Sequence, residues 1–137
     1  MDDRGVLVHV EAVRQASGKA AMVRVRSSAG MAVALWCGDP TDVGCEHHVE
    51  WTVDADVAWG GNTQPVVSSS PALSEDGDQV VFRGRLSLTV DGGAVLELGD
   101  SQILFDLADP PPPVAADGTW VEIRVQRTGV SLYPCLL

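Results

Sequence analysis

The stretch Phe82-Arg83-Gly84-Arg85-Leu86-Ser87-Leu88-Thr89-Val90 decides the fold class. Phe82, Gly84, Leu86, Leu88 and Val90 share one parity, while Arg83, Arg85, Ser87 and Thr89 take the other. Side chains alternate across a strand with a period of two. One face of this segment therefore belongs to a core and the other to water, an antiparallel habit. Gly84 interrupts the apolar parity and marks a bend or bulge where a sheet curls.

The same alternation extends outward from that stretch. After the turn Asp91-Gly92-Gly93 come Ala94–Leu98, a second turn at Gly99-Asp100, and Ser101–Leu107. Val23 and Val25 alternate with Arg24 and Arg26. Val49, Trp51 and Val53 alternate with Glu50, Thr52 and Asp54, and Val121, Ile123 and Val125 with Trp120, Glu122 and Arg124. Thr128-Gly129, Ser17-Gly18-Lys19 and Ser28-Ala29-Gly30 supply further turns, with glycine allowing the positive φ of tight hairpins. Helical periodicity is nearly absent. Only Val10–Ala16 tolerates a helix, and β-branched neighbours flank it. About nine or ten strands at this spacing predict an all-β protein, an antiparallel Greek-key barrel or sandwich, with two fused small barrel-like halves as a variant.

The chain has 137 residues, 45% of them apolar, which suits a single domain over 1–137 with a sizeable core. Two stretches interrupt the strand rhythm. Residues 60–78, with Gly60-Gly61-Asn62, Ser68-Ser69-Ser70, Pro65, Pro71 and Glu75-Asp76-Gly77, read as a long polar connection and a candidate subdomain boundary. Pro110–Pro113 cannot donate to a ladder and reads as a stiff crossover between two strands. Both halves begin with a long strand and continue through a meander, but their residues do not align as a repeat. In rhythm, a long bent strand, two hairpin partners, a crossover and a last hairpin, the second half resembles an oligonucleotide/oligosaccharide-binding barrel.

Charge limits the partners. Nine Lys and Arg against 19 Asp and Glu give a net charge of −10. Nucleic-acid binders cluster cations against phosphates, and anionic membranes repel such a surface, so neither partner is expected. A basic protein surface is compatible. The acidic start Met1-Asp2-Asp3-Arg4 lacks the basic head and long apolar run of a secretory signal, and no stretch has the apolar length of a membrane helix. The expected compartment is the cytoplasm. The excess of arginine over lysine, with abundant Ala, Val, Gly and Asp, suggests a GC-rich bacterial source. In that reducing setting Cys37, Cys45 and Cys135 are expected as small buried or half-buried thiols, with a Cys37–Cys45 bridge as the alternative.

The densest polar cluster runs from Cys37 to His48. Cys37, Cys45, His47 and His48 are weak candidate zinc ligands. Seven residues separate the cysteines, and adjacent histidines on a strand point to opposite faces. No metal and no cofactor are therefore expected. Phosphate-binding glycine loops, a nucleophile elbow and zinc-protease motifs are missing, so no catalytic residue is assigned and the chain leans away from being an enzyme.

Trp120 lies out of parity with its apolar neighbours, beside Glu122 and Arg124, as a contact anchor would. Trp36 and Trp59 flank loops and are candidates to line a groove, while Trp51 fits the core. The expected function is a non-catalytic acidic binding protein that engages a basic protein, as the inhibitor (immunity) partners of cationic nuclease toxins do. The alternatives are a small-molecule or carbohydrate binder with a tryptophan-lined barrel mouth, and an enzyme with an acidic site built from Asp39, Asp42 and Glu46.

Overall fold

The computed structural model describes residues 6–12, 21–38, 44 and 46–134. The strands are β1 (Val6–Ala12), β2 (Ala21–Ser27), β3 (Gly30–Trp36), β4 (Glu46–Val53), β5 (Thr63–Pro65), β6 (Ala72–Asp76), β7 (Gln79–Leu88), β8 (Gly93–Leu98), β9 (Ser101–Asp106), β10 (Trp120–Gln126) and β11 (Val130–Pro134). The protein is all-β. Its strands join in one mixed sheet that, as a whole, is not closed into a barrel. Within it, β4-β1-β2-β3 and β10-β7-β8-β9 each follow the order of a Greek key, in which the fourth strand returns beside the first.

The two Greek keys pair in the same register. The β2–β3 hairpin closes at Ser27↔Gly30 and the β8–β9 hairpin at Leu98↔Ser101, each across two residues. Val10 faces Val25 as Leu86 faces Leu96, and Val6 faces Val49 as Phe82 faces Ile123. Buried Val8, Val10, Val25, Ala32, Ala34 and Val49 thus correspond in position to Gly84, Leu86, Leu96, Ile103, Phe105 and Ile123, also buried.

Each half takes its last strand from the other. After β10 the chain crosses back, and β11 lies antiparallel to β4 and parallel to β3. After β4 it crosses forward, where Val57 bridges Leu107 in parallel and β5 pairs antiparallel with β10. The hydrogen bonds match: Cys37 N–H donates to the Leu132 carbonyl at 2.9 Å, and Ala108 N–H to the Val57 carbonyl at 2.9 Å. Where the two connections cross, Asp54 N–H donates to the Gly129 carbonyl at 2.7 Å.

One core joins both halves, from Val8, Val25 and Trp51 to Leu96, Ile103 and Val125. Phe82 meets the edges of Trp51 and Phe105, at centroid separations of 5.7 and 6.5 Å. Burying such rings stabilises by roughly 1.5–3 kcal/mol each, with further gain from edge-to-face contact.

Several expectations need correction. Residues 60–78 are not one polar connection, because β5 and β6 lie within them and complete the sheet. Val10, Glu11 and Ala12 continue β1 as a strand, and residues 13–16 of the helix candidate lie outside the described residues. The sheet is not purely antiparallel, since β3 runs parallel to β11 and to β6 at Gly30↔Leu73. Alternation carries no information about strand direction, and the crossing connections set it. Val90 shares the core parity but stands fully exposed in the turn beyond β7. The Pro110–Pro113 run does join two strands, β9 and β10, followed by a 3-10 turn at Val114–Ala116.

At Gly84 a Cβ would sit 2.2 Å from the Glu97 carbonyl oxygen, so the marked position is a close approach of β8 to β7.

Candidate functional site

The outer face of β10-β7-β8-β9 assembles from the parity that points away from the core. In register across it stand Trp120, Arg85, Glu97 and Gln102. The next row holds Ser87, Val95 and Leu104, and the one after it Gly93 and Asp106. Val57 N–H donates to the Asp106 carbonyl at 2.8 Å, which sets Asp56 beside Asp106 on the neighbouring segment. Leu104 is 72% exposed in the middle of a strand.

Asn62 holds the segment that carries Asp56. Its Oδ1 accepts from Ala58 N–H at 2.9 Å and Thr63 Oγ1 at 2.8 Å, and its Nδ2 donates to the Asp56 carbonyl at 2.8 Å. In sequence, Gly60-Gly61-Asn62 shows only turn chemistry. The signal missed was an amide able to satisfy both chain directions at once.

Where the connections cross, a cleft of about 450 Å³ is lined by Asp54, Asn62, Gln79, Arg124, Gln126 and Thr128, among others. Arg124 Nη1 donates to Asp76 and Nη2 to Glu122 Oε1, the latter at 3.1 Å. Those two hydrogen bonds, Asp76 first, raise the Arg124 guanidinium further above its ordinary range. Arg127 Nη2 donates to Glu75 Oε1 and to the Gly77 carbonyl, both at 3.0 Å, and Arg83 approaches Glu122 at 3.9 Å. These three arginines tie the β6–β7 hairpin to β10 and engage Glu75, Asp76 and Glu122. Among the described residues, no ion pair joins Asp54, Asp56, Asp78, Glu97 or Asp106 to a cation. Carboxylates left in excess give this surface a negative field.

The candidate residues do not gather at one place. Trp36 is 4% exposed, so it fills the core and cannot line a groove, and Trp51 is buried as expected. Trp59 is half-buried and packs against the core. Trp120 is half-buried on the outer face, opposite Arg85. A tryptophan-lined mouth therefore does not form from Trp36. Glu46 is exposed in register with His9, and half-buried His48 stands opposite Leu7. Asp39, Asp42, Cys45, Cys135 and the side chain of His47 lie outside the described residues.

Cys37 is a free, exposed thiol rather than a buried one, because β3 ends at Trp36 and the chain leaves the core there. The Tyr133 phenol is raised above its ordinary value of 10.0 by the neighbouring Cys37 side chain, through hydrogen bonding first. No group of three or more metal-ligating side chains occurs among the described residues. They also contain no helix long and apolar enough to cross a membrane.

This geometry defines a class, an all-β protein of two Greek keys that exchange their last strands. Comparison with protein-family models, curated proteins and solved structures finds no match.

Proposed function

We propose that the chain is a non-catalytic acidic binding protein that docks a basic protein partner, in the manner of the inhibitor partners of cationic nuclease toxins. The observation that supports this reading is the uneven use of charge in the second half. Three arginines are engaged within the molecule, while Glu97, Asp106 and Asp56 stand without ion pairs among the described residues, beside an exposed leucine. Complementary charge of this kind raises association rate and selects against wrong partners more than it raises affinity.

Capture from the source cell at low salt tests it. The expected result is a basic protein retained at low ionic strength, with an association rate falling about tenfold or more as salt screens the approach. Retention of no basic protein, or an association rate indifferent to salt, overturns the proposal.

A further inference from the structure

We infer that the basic partner seats on the outer face of the β8–β9 hairpin, with an apolar side chain on Leu104 and Val95 and cationic groups over Glu97, Asp106 and Asp56. This rests on the function proposed above and adds the place and chemistry of docking.

Val95 and Leu104 are direct partners across the hairpin. Because the Asp106 carbonyl is directed outward to Val57 N–H, Asp106 and Leu104 belong to the pairs that exchange no hydrogen bonds within the hairpin. Side chains of such pairs lie closest together, so Leu104 and Val95 form one apolar surface. Leu104 is 72% exposed there, with Glu97 in the row on one side and Asp106 in the row on the other. Asp56 extends the acidic side. Arg85 is the cation of these rows among the described residues. It stands in register with Glu97, yet no ion pair joins them. An apolar centre with a charged rim is the arrangement in which a partner's anchor is desolvated while rim charges steer it.

The equivalent face of the first half lacks the paired apolar residues. Arg24 and Val33 stand where Val95 and Leu104 stand, and Arg26 takes the place of Glu97.

Isotope-labelled full-length chain, titrated with two synthetic peptides of equal charge, tests the site. One peptide alternates lysine with leucine, the other lysine with serine. The expected result is amide shifts on β8, β9 and Asp56, with the leucine peptide binding about tenfold tighter or more, as burial of leucine side chains predicts. Leu104→Ser, a surface change whose amide spectrum verifies the fold, should abolish that preference. Glu97→Gln with Asp106→Asn should weaken both peptides.

Shifts confined to other surfaces, or an unchanged preference in Leu104→Ser, overturn the site while leaving acidic docking intact. Failure of both peptides to bind at low salt overturns acidic docking itself, and the site with it. Amide shifts on β8–β9 that follow protein concentration alone, and vanish in both Leu104→Ser and Arg24→Glu, overturn the proposal in favour of a second copy of this chain.

Discussion

Val23, Val25, Ala32 and Ala34 fill the first half where Ala94, Leu96, Ile103 and Phe105 fill the second, all of them buried. The first half recovers the missing volume at the far ends of its strands, with Trp36 opposite in role to Leu107 and Trp51 to Val125. Outside, the two halves part. Arg24, Arg26 and Leu35 correspond to Val95, Glu97 and Asp106. Strand register tolerates any set of side chains that keeps the inner parity apolar and the volume filled. Surface charge is free of that constraint, so two halves of equivalent register can carry opposite charges at equivalent positions.

The sharpest way to break the comparison is at Val8 and Gly84, which hold the same place in β1 and β7. Val8 is 1% exposed and packs in the core, whereas a Cβ at Gly84 would lie 2.2 Å from the Glu97 carbonyl oxygen. Gly84→Val is expected to cost about 4 kcal/mol or more, because backbone must move to admit it. Val8→Gly should cost about 2–3 kcal/mol through the cavity left behind and the added backbone freedom. Urea denaturation measures both. A Gly84→Val protein within 1 kcal/mol of the parent would show that β8 does not cross β7 this closely.

Gly30 and Ser101 differ for a related reason. Gly30 has φ +141°, and its Cβ would meet the Leu73 carbonyl oxygen at 2.0 Å, since β6 passes against it. No counterpart of β6 occurs in the first half among the described residues, and Ser101 keeps its side chain.

Trp51→Val makes the first core resemble the second without the volume that Ile103 and Phe105 supply there. The expected loss is about 3 kcal/mol, from the cavity and the lost edge contact with Phe82. Because each half contributes the last strand of the other, the variant should still unfold in one transition seen by every probe. Separate unfolding of the first half would show that the exchanged strands do not couple the two cores.

Alternation made the strands and their turns legible, because a half-buried strand leaves a period-two trace in nearly every segment. Strand exchange left none. β11 and the segment around Val57 are short, and their partners are fixed by where the chain crosses at Asp54 and Gly129. The equivalence of the two halves was hidden because Ala32 and Ala34 correspond to Ile103 and Phe105, and Val8 to Gly84. Trp120 was placed correctly on the outer face, since parity alone decides that. Leu104 escaped notice because a lone leucine in an apolar strand looks like core until its partners are known. Trp36 misled for the opposite reason: a residue at a strand end can still point inward.

The smallest effect concerns Cys37 and Tyr133, which occupy the places of Ala108 and Ala58 in the other half. The neighbouring Cys37 side chain raises the Tyr133 phenol above 10.0, through hydrogen bonding first and electrostatics second. A phenol raised by folding adds stability that is fully present below its ordinary value and is lost as pH climbs through the raised one. Cys37→Ala gives the first half the alanine that its counterpart has, and the tyrosinate midpoint should fall back toward 10.0. The chain has a single tyrosine, so tyrosinate absorbance during an alkaline titration reports this group alone. Equal midpoints in parent and variant would mean that the thiol does not hold the phenol, and that this corner of the two halves differs in sequence but not in chemistry.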